Sequence, residues 1–403
     1  MTTSNLTMPL TNHRLLWYLL ARFTSSIGNG LQTVATAWLL LQLSGAAASI
    51  GWSLAVTSIP GIFCSPWIGV LVDRYDRRWI CIGADVFRGC MIAILPVLAF
   101  LHLLYIWAIY LVILLVAIGD RFYWPASTAM AKEMLPKEDL LAANTLIGMA
   151  LQTGTLIGAS AGGLLIASFG SVNTMLFNAA SFIISAFFTC LIQNSSFSQT
   201  LKRESTSFFR EFLGGVKYLQ GHAFVVRVAW LQSLLFLAFY IITVLLPVFS
   251  VRVLKVGSAG YGLIDGGWAV GAIVGTILLL LALKNINTYR FVSFGMLQLG
   301  LSIIVFLTAR GLLQGIIGSA LLGSSFVCTR IQFDTILQTI IPTEYQGRVQ
   351  STILMLTAYV SLSIYIFTGY LGDTVPLRLI FLALSLIIFF AALQSFFIFR
   401  AQR

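Results

Sequence analysis

Charge is what this chain has least of. Only 9% of its 403 residues are Asp, Glu, Lys or Arg, while 59% are hydrophobic. A soluble globular domain carries roughly 25% charged residues. So little charge cannot cover a water-facing surface, which excludes a soluble protein and points to a polytopic helical membrane protein. Histidine is almost absent as well. His13, His102 and His222 fall at the ends of apolar runs, and neither a His-Glu-x-x-His nor a Ser-His-Asp arrangement is present, so an enzyme is not expected. The five cysteines, Cys64, Cys81, Cys90, Cys190 and Cys328, lie in apolar runs without Cys-x-x-Cys spacing. They read as packing residues, with no disulfide framework and no metal site. No Gly-x-x-x-x-Gly-Lys-Ser/Thr loop occurs, so ATP does not drive the protein directly, and no cofactor is expected. The net charge of +11 says little about nucleic acid, and no nucleic-acid partner is expected. What matters is where the basic residues fall.

What is present is a series of apolar runs. A spanning helix needs about 20 predominantly apolar residues. Spans are predicted at 15–41, 47–72, 79–100, 104–129, 139–167, 171–193, 223–250, 258–283, 289–309, 311–338, 345–372 and 376–400. The first is too long for the apolar core of a cleaved signal and reads as a span. The connections on one side hold only Arg252, Lys255, Arg310 and Arg378. Most other Lys and Arg fall in the opposite connections and near the ends, which predicts cytoplasmic termini. The long connection 194–222 carries Phe208, Phe209, Phe212, Leu213 and Val216 at helical spacing among charges. It reads as a flexible link followed by an amphipathic helix on the cytoplasmic face. The predicted organisation is therefore residues 1–193, a linker 194–222, and residues 223–403. Pro136 and Pro342, each followed by a charged turn, hint that the halves repeat.

The stretch Gly69-Val70-Leu71-Val72-Asp73-Arg74-Tyr75-Asp76-Arg77-Arg78 is too charged for hydrocarbon. Its order, Gly-x-x-x-Asp-Arg-x-x-Arg-Arg, resembles the loop between the second and third helices of the major facilitator superfamily. The resemblance implies twelve transmembrane helices in two pseudo-symmetric halves of six, an all-α membrane fold. It also implies a cytoplasmic gate in which Gly69 permits close helix contact and Asp73, Arg74, Arg77 and Arg78 latch two helices. Asp85 and Arg88 lie nearby in the sequence and are expected to join that network. The run Gly154 to Gly163, with Gly158 and Gly162 between, places small residues four apart. That allows close helix approach in lipid, and it is also similar to the antiporter motif of exporting members, with Ala159 in place of Pro. Arg22-Phe23-Thr24-Ser25-Ser26-Ile27-Gly28-Asn29 resembles the opening of a branch containing enterobactin exporters and macrolide-efflux proteins, which often carries Asp where Asn29 stands.

Charges inside spans are costly and so are functional candidates. Asp120 is expected either to couple protons or to form a buried ion pair. Its neighbour Arg121 points about 100° away. Arg330 and Asp334 lie four apart and either satisfy each other or serve transport. Asp265, among glycines, binds a proton or a cation, or lines a wet outer vestibule. Arg22 meets an anionic substrate or snorkels to the interface. Asn29, Arg121, Tyr123, Trp124, Tyr240, Trp268 and Arg330 complete the candidate cavity residues. The resemblance implies a secondary transporter of the bacterial inner membrane, exporting a siderophore or amphipathic drug in exchange for protons. It is expected to act as a monomer with a small-molecule substrate, a coupling proton and membrane lipid as partners. Import of a metabolite or siderophore, lipid flipping, and a non-transporting receptor are the alternatives.

Overall fold

The computed structural model describes residues 13–63, 68, 71–72, 75–134, 140–192, 216–282 and 288–400. Among the described residues eleven long helices follow one another: α1 (His13–Ser44), α2 (Ala47–Phe63), α3 (Arg77–Phe100), α4 (Ile106–Met134), α5 (Leu140–Cys190), α6 (Ala223–Arg252), α7 (Gly257–Ala282), α8 (Thr288–Thr308), α9 (Leu312–Ile340), α10 (Thr343–Thr374) and α11 (Leu377–Arg400). Helices are what lipid permits, because each satisfies its own backbone hydrogen bonds. α5 is two helices in sequence terms. Gly170, at φ 82° and ψ 161°, breaks it between the runs predicted at 139–167 and 171–193, in a backbone region open chiefly to glycine. Among the described residues, eight helices are each long and apolar enough to cross a membrane.

The chain divides into two units, one of residues 1–44 and 56–203 and the other of residues 45–55 and 204–403. The first turns of α2 belong to the second unit. The predicted linker 194–222 lies outside the described residues up to 215, as do Phe208, Phe209, Phe212 and Leu213.

In the first unit, α1 packs along α5, and α3 packs against α4 and α5. The α1–α5 contact is built on missing side chains. A Cβ at Gly158 would stand 2.1 Å from the Ile27 carbonyl oxygen, one at Gly30 2.4 Å from that of Thr155, and one at Gly154 2.6 Å from that of Phe23. These are backbone atoms that cannot turn aside, so the glycines set the helix separation. At Gly162 a Cβ would meet only Leu31 and Val34, at 3.4 and 3.5 Å, an ordinary van der Waals contact. Gly158→Val is therefore expected to cost about 3 kcal/mol or more through overpacking, whereas Gly162→Ala is tolerated. Thermal unfolding of the two purified variants checks this. Equal melting points would remove glycine contact as the basis of the α1–α5 seam.

In the second unit α7 packs on α9 by the same device. A Cβ at Gly271 would lie 1.8 Å from the Ala320 carbonyl oxygen, and one at Gly323 2.0 Å from that of Trp268. α8 packs on α9 and α11, and α6 on α10. The start of α2 is held in this unit by α10. Asp373 accepts from the Ala47 and Ala48 backbone N–H groups at 2.8 and 2.9 Å, capping two orphan donors of a helix N-terminus. Arg252 donates to Asp373 at 2.9 Å and to the carbonyls of Gly45 and Gly372. This cluster joins residues far apart in sequence, and no motif announced it.

Candidate functional site

The first unit encloses a cavity of about 650 Å³, walled by α1, α2, α3, α4 and α5 and lined among others by Arg22, Ser25, Asn29, Asp120, Arg121 and Trp124. Arg88 also lines it, 1% exposed and the largest fully buried side chain among the described residues. It forms ion pairs with Asp85, three residues back on α3, and with Asp120 of α4. Its guanidinium also donates to Ser25 Oγ at 3.2 Å. It lies over the Tyr123 and Phe182 rings, at 4.4 and 4.3 Å from their centroids. Ser185 donates to the second Asp85 oxygen at 2.7 Å. A charge taken out of water needs both a partner and further hydrogen bonds, and this site supplies them from α1, α3, α4 and α5. Asp85 is 0% exposed, whereas the Asp120 side chain is 45% exposed, so only the second carboxylate meets the cavity.

The described partners of Asp85 and Arg88 on other helices are Asp120, Ser25 and Ser185, which a helix reaches by turning successive residues to different neighbours. Of the proposed gate, Gly69, Asp73 and Arg74 lie outside the described residues. Arg77 forms an ion pair with Glu133 of α4. Arg78 donates to the carbonyls of Thr189 and Cys190 at the end of α5, at 3.3 and 2.6 Å. Asp76 caps α3 through the Arg78 backbone N–H.

Arg22 lies at the cavity wall, 3% exposed. Its guanidinium stacks over Trp124 at 4.6 Å and Tyr123 at 5.4 Å, and its buried Nε has no hydrogen-bond partner among the described residues. Arg121 runs beside α2, where a Cβ on Gly61 would come within 2.8 Å of its Nη2. Ser25, Phe182 and Ser185 were not legible in the sequence, since nothing in their spacing links α1, α3 and α5.

The second unit holds a smaller groove of about 210 Å³, lined by Trp230, Ser233, Phe236, Tyr240 and Thr357 among others. Phe236 and Tyr240 stack at 5.9 Å, and Tyr240 meets Tyr365 edge-on at 5.1 Å. Arg330 stands 3.8 Å from Asp334 and 5.7 Å from the Phe236 ring centroid. Gln232 donates to Asp334 at 2.8 Å. Trp268 packs near Phe239 and Phe326. Asp265, half-buried on α7, makes no hydrogen bond or ion pair among the described residues. No cluster of metal-ligating side chains occurs among them.

Two units of long apolar helices, each with polar groups turned inward, define a membrane transporter of the major facilitator fold. The solved nucleoside transporter NupG superposes with a TM-score of 0.74 over 96% of this chain and 99% of that one, at 16% identity. The family described as "Transmembrane secretion effector" matches residues 3–399, and the chain belongs to it. Among curated relatives, the MFS-type transporter YfiS of Bacillus subtilis is 26% identical over 92% of this chain and 90% of its own length. The multidrug efflux pump Tap of Mycolicibacterium fortuitum is 25% identical over 92% of each. Macrolide efflux protein A of Streptococcus pyogenes is 23% identical over 81% of each. The protein is thus an integral membrane transporter acting on small molecules, and not an enzyme.

Proposed function

We infer that this transporter exports a bulky small molecule, a siderophore or an amphipathic drug, from the bacterial cytoplasm in exchange for protons. The observation that carries the reading is the first-unit cavity, roomy enough for a drug-sized ligand and walled by both charged and aromatic side chains. The relatives named for macrolide and multidrug efflux support the outward direction. In this reading the protein acts as a monomer in the cytoplasmic membrane, with both termini inside, and two six-helix halves alternate in exposing the cavity. Gly69, Asp73, Arg74, Arg77 and Arg78 form the cytoplasmic gate.

The three candidate proton carriers differ in their partners. Asp120 is tied to Arg88 in an ion pair. Asp334 is held by Gln232 and faces Arg330. Asp265 has no such partner among the described residues, so it carries the proton, while Asp120 holds the bundle and shapes the cavity. Expression in an efflux-deficient bacterium tests the export reading. Growth-inhibitory concentrations of at least one compound in a panel of macrolides, amphipathic dyes and siderophore analogues should rise at least four-fold. A membrane-inserted protein that protects against none of them, or that raises cellular accumulation, would contradict it.

A further inference from the structure

The charges around the first-unit cavity do not balance. Asp85 and Asp120 both direct their carboxylates at Arg88. Among the described residues no carboxylate pairs with Arg22, whose guanidinium lies over the faces of Trp124 and Tyr123. Arg121 adds a further cation to the same wall. Aromatic faces orient a guanidinium, but they do not neutralise it or fill its donors. A guanidinium buried to 3% exposure with an unpartnered Nε is costly unless a counter-charge arrives. The described residues supply none at this spot.

We propose that Arg22 is the anchor for an anionic group of the transported molecule, and that the substrate is an amphipathic anion: a carboxylate, sulfonate or phosphate on a flat apolar body. The rigid fork of a guanidinium matches such a group with two parallel hydrogen bonds. Trp124, 56% exposed on the cavity wall, offers its ring to the apolar part. The class also fits the direction. An anion leaving an inside-negative cell moves with the membrane potential. This inference rests on the cavity being the substrate site, and it names the substrate's charge, which the export reading leaves open.

The test uses the full-length protein in lipid nanodiscs and three probes sharing one apolar body: pyrenebutyrate, pyrenebutanol and pyrenebutylamine. Binding is followed by energy transfer from tryptophan to pyrene. The wild type should bind the carboxylate at least ten-fold more tightly than the amine, with the alcohol between. Arg22→Gln should abolish that preference while leaving the alcohol's affinity within about two-fold. Arg22→Lys, which keeps the charge and loses the fork, should keep the preference with weaker binding. Equal affinities in the wild type, a preference for the amine, or an anion preference that survives Arg22→Gln would each overturn the proposal. If the glutamine variant does not fold, a folded Arg22→Lys protein without the preference overturns it as well. The two readings fail separately. Efflux of cations alone sinks the anion site and spares export, whereas carboxylate binding without outward transport of any compound sinks export and spares the site.

Discussion

Arg88→Met is expected to destabilise the protein by about 3–5 kcal/mol, the usual cost of removing one partner from a buried ion pair. Methionine nearly fills the volume and keeps contact with Tyr123 and Phe182, so packing is not the main loss. What is left is Asp85, 0% exposed, with its Ser185 bond but without its cation, and Asp120 facing the cavity alone. Neutralising all three groups together, with Asp85→Asn, Arg88→Met and Asp120→Asn, should recover much of the loss, because the penalty lies in the stranded charge. Thermal and denaturant unfolding in nanodiscs reads both variants. An Arg88→Met protein within about 1 kcal/mol of wild type would mean that the network does not hold the first unit together.

Asp265→Asn has the largest expected effect on transport. Asparagine is nearly isosteric and cannot take up a proton. The carboxylate makes no ion pair among the described residues, so removing its charge strands nothing. Stability should stay within about 1 kcal/mol, while accumulation driven by a pH gradient falls at least ten-fold. Substrate exchange across vesicles without a gradient should persist, since binding and the alternation of halves remain. Asp120→Asn should show the reverse pattern, with lower stability and residual coupling. If Asp265→Asn still concentrates substrate against a gradient, the proton travels through another group.

Much of the fold was legible. Apolar runs of spanning length gave the helices, and the gap between 139–167 and 171–193 fell at Gly170, where the backbone departs from helix. The small-residue spacing of Gly154 and Gly158 marked a close seam, because only glycine lets two backbones meet at such distances. The site was less legible. Arg88 and Asp120 lie 32 positions apart on neighbouring helices, and Arg252 and Asp373 lie 121 apart. Periodicity tells which face of a helix is polar but not which helix that face meets. Asp85 and Arg88 lie beside the charged loop in the chain, yet their described partners on other helices come from α1, α4 and α5. Asp120 and Arg121 show the same limit from the other side. Their adjacency required two different neighbours, and packing alone decided that these are Arg88 and the α2 backbone near Gly61.

The central claim, proton-driven export, is tested most directly by uptake into inside-out membrane vesicles given an acid interior, with labelled siderophores and macrolides and with pyrenebutyrate. The account predicts accumulation of at least one of these compounds that collapses on adding a protonophore. Accumulation indifferent to the protonophore, or seen only in right-side-out vesicles, would contradict it.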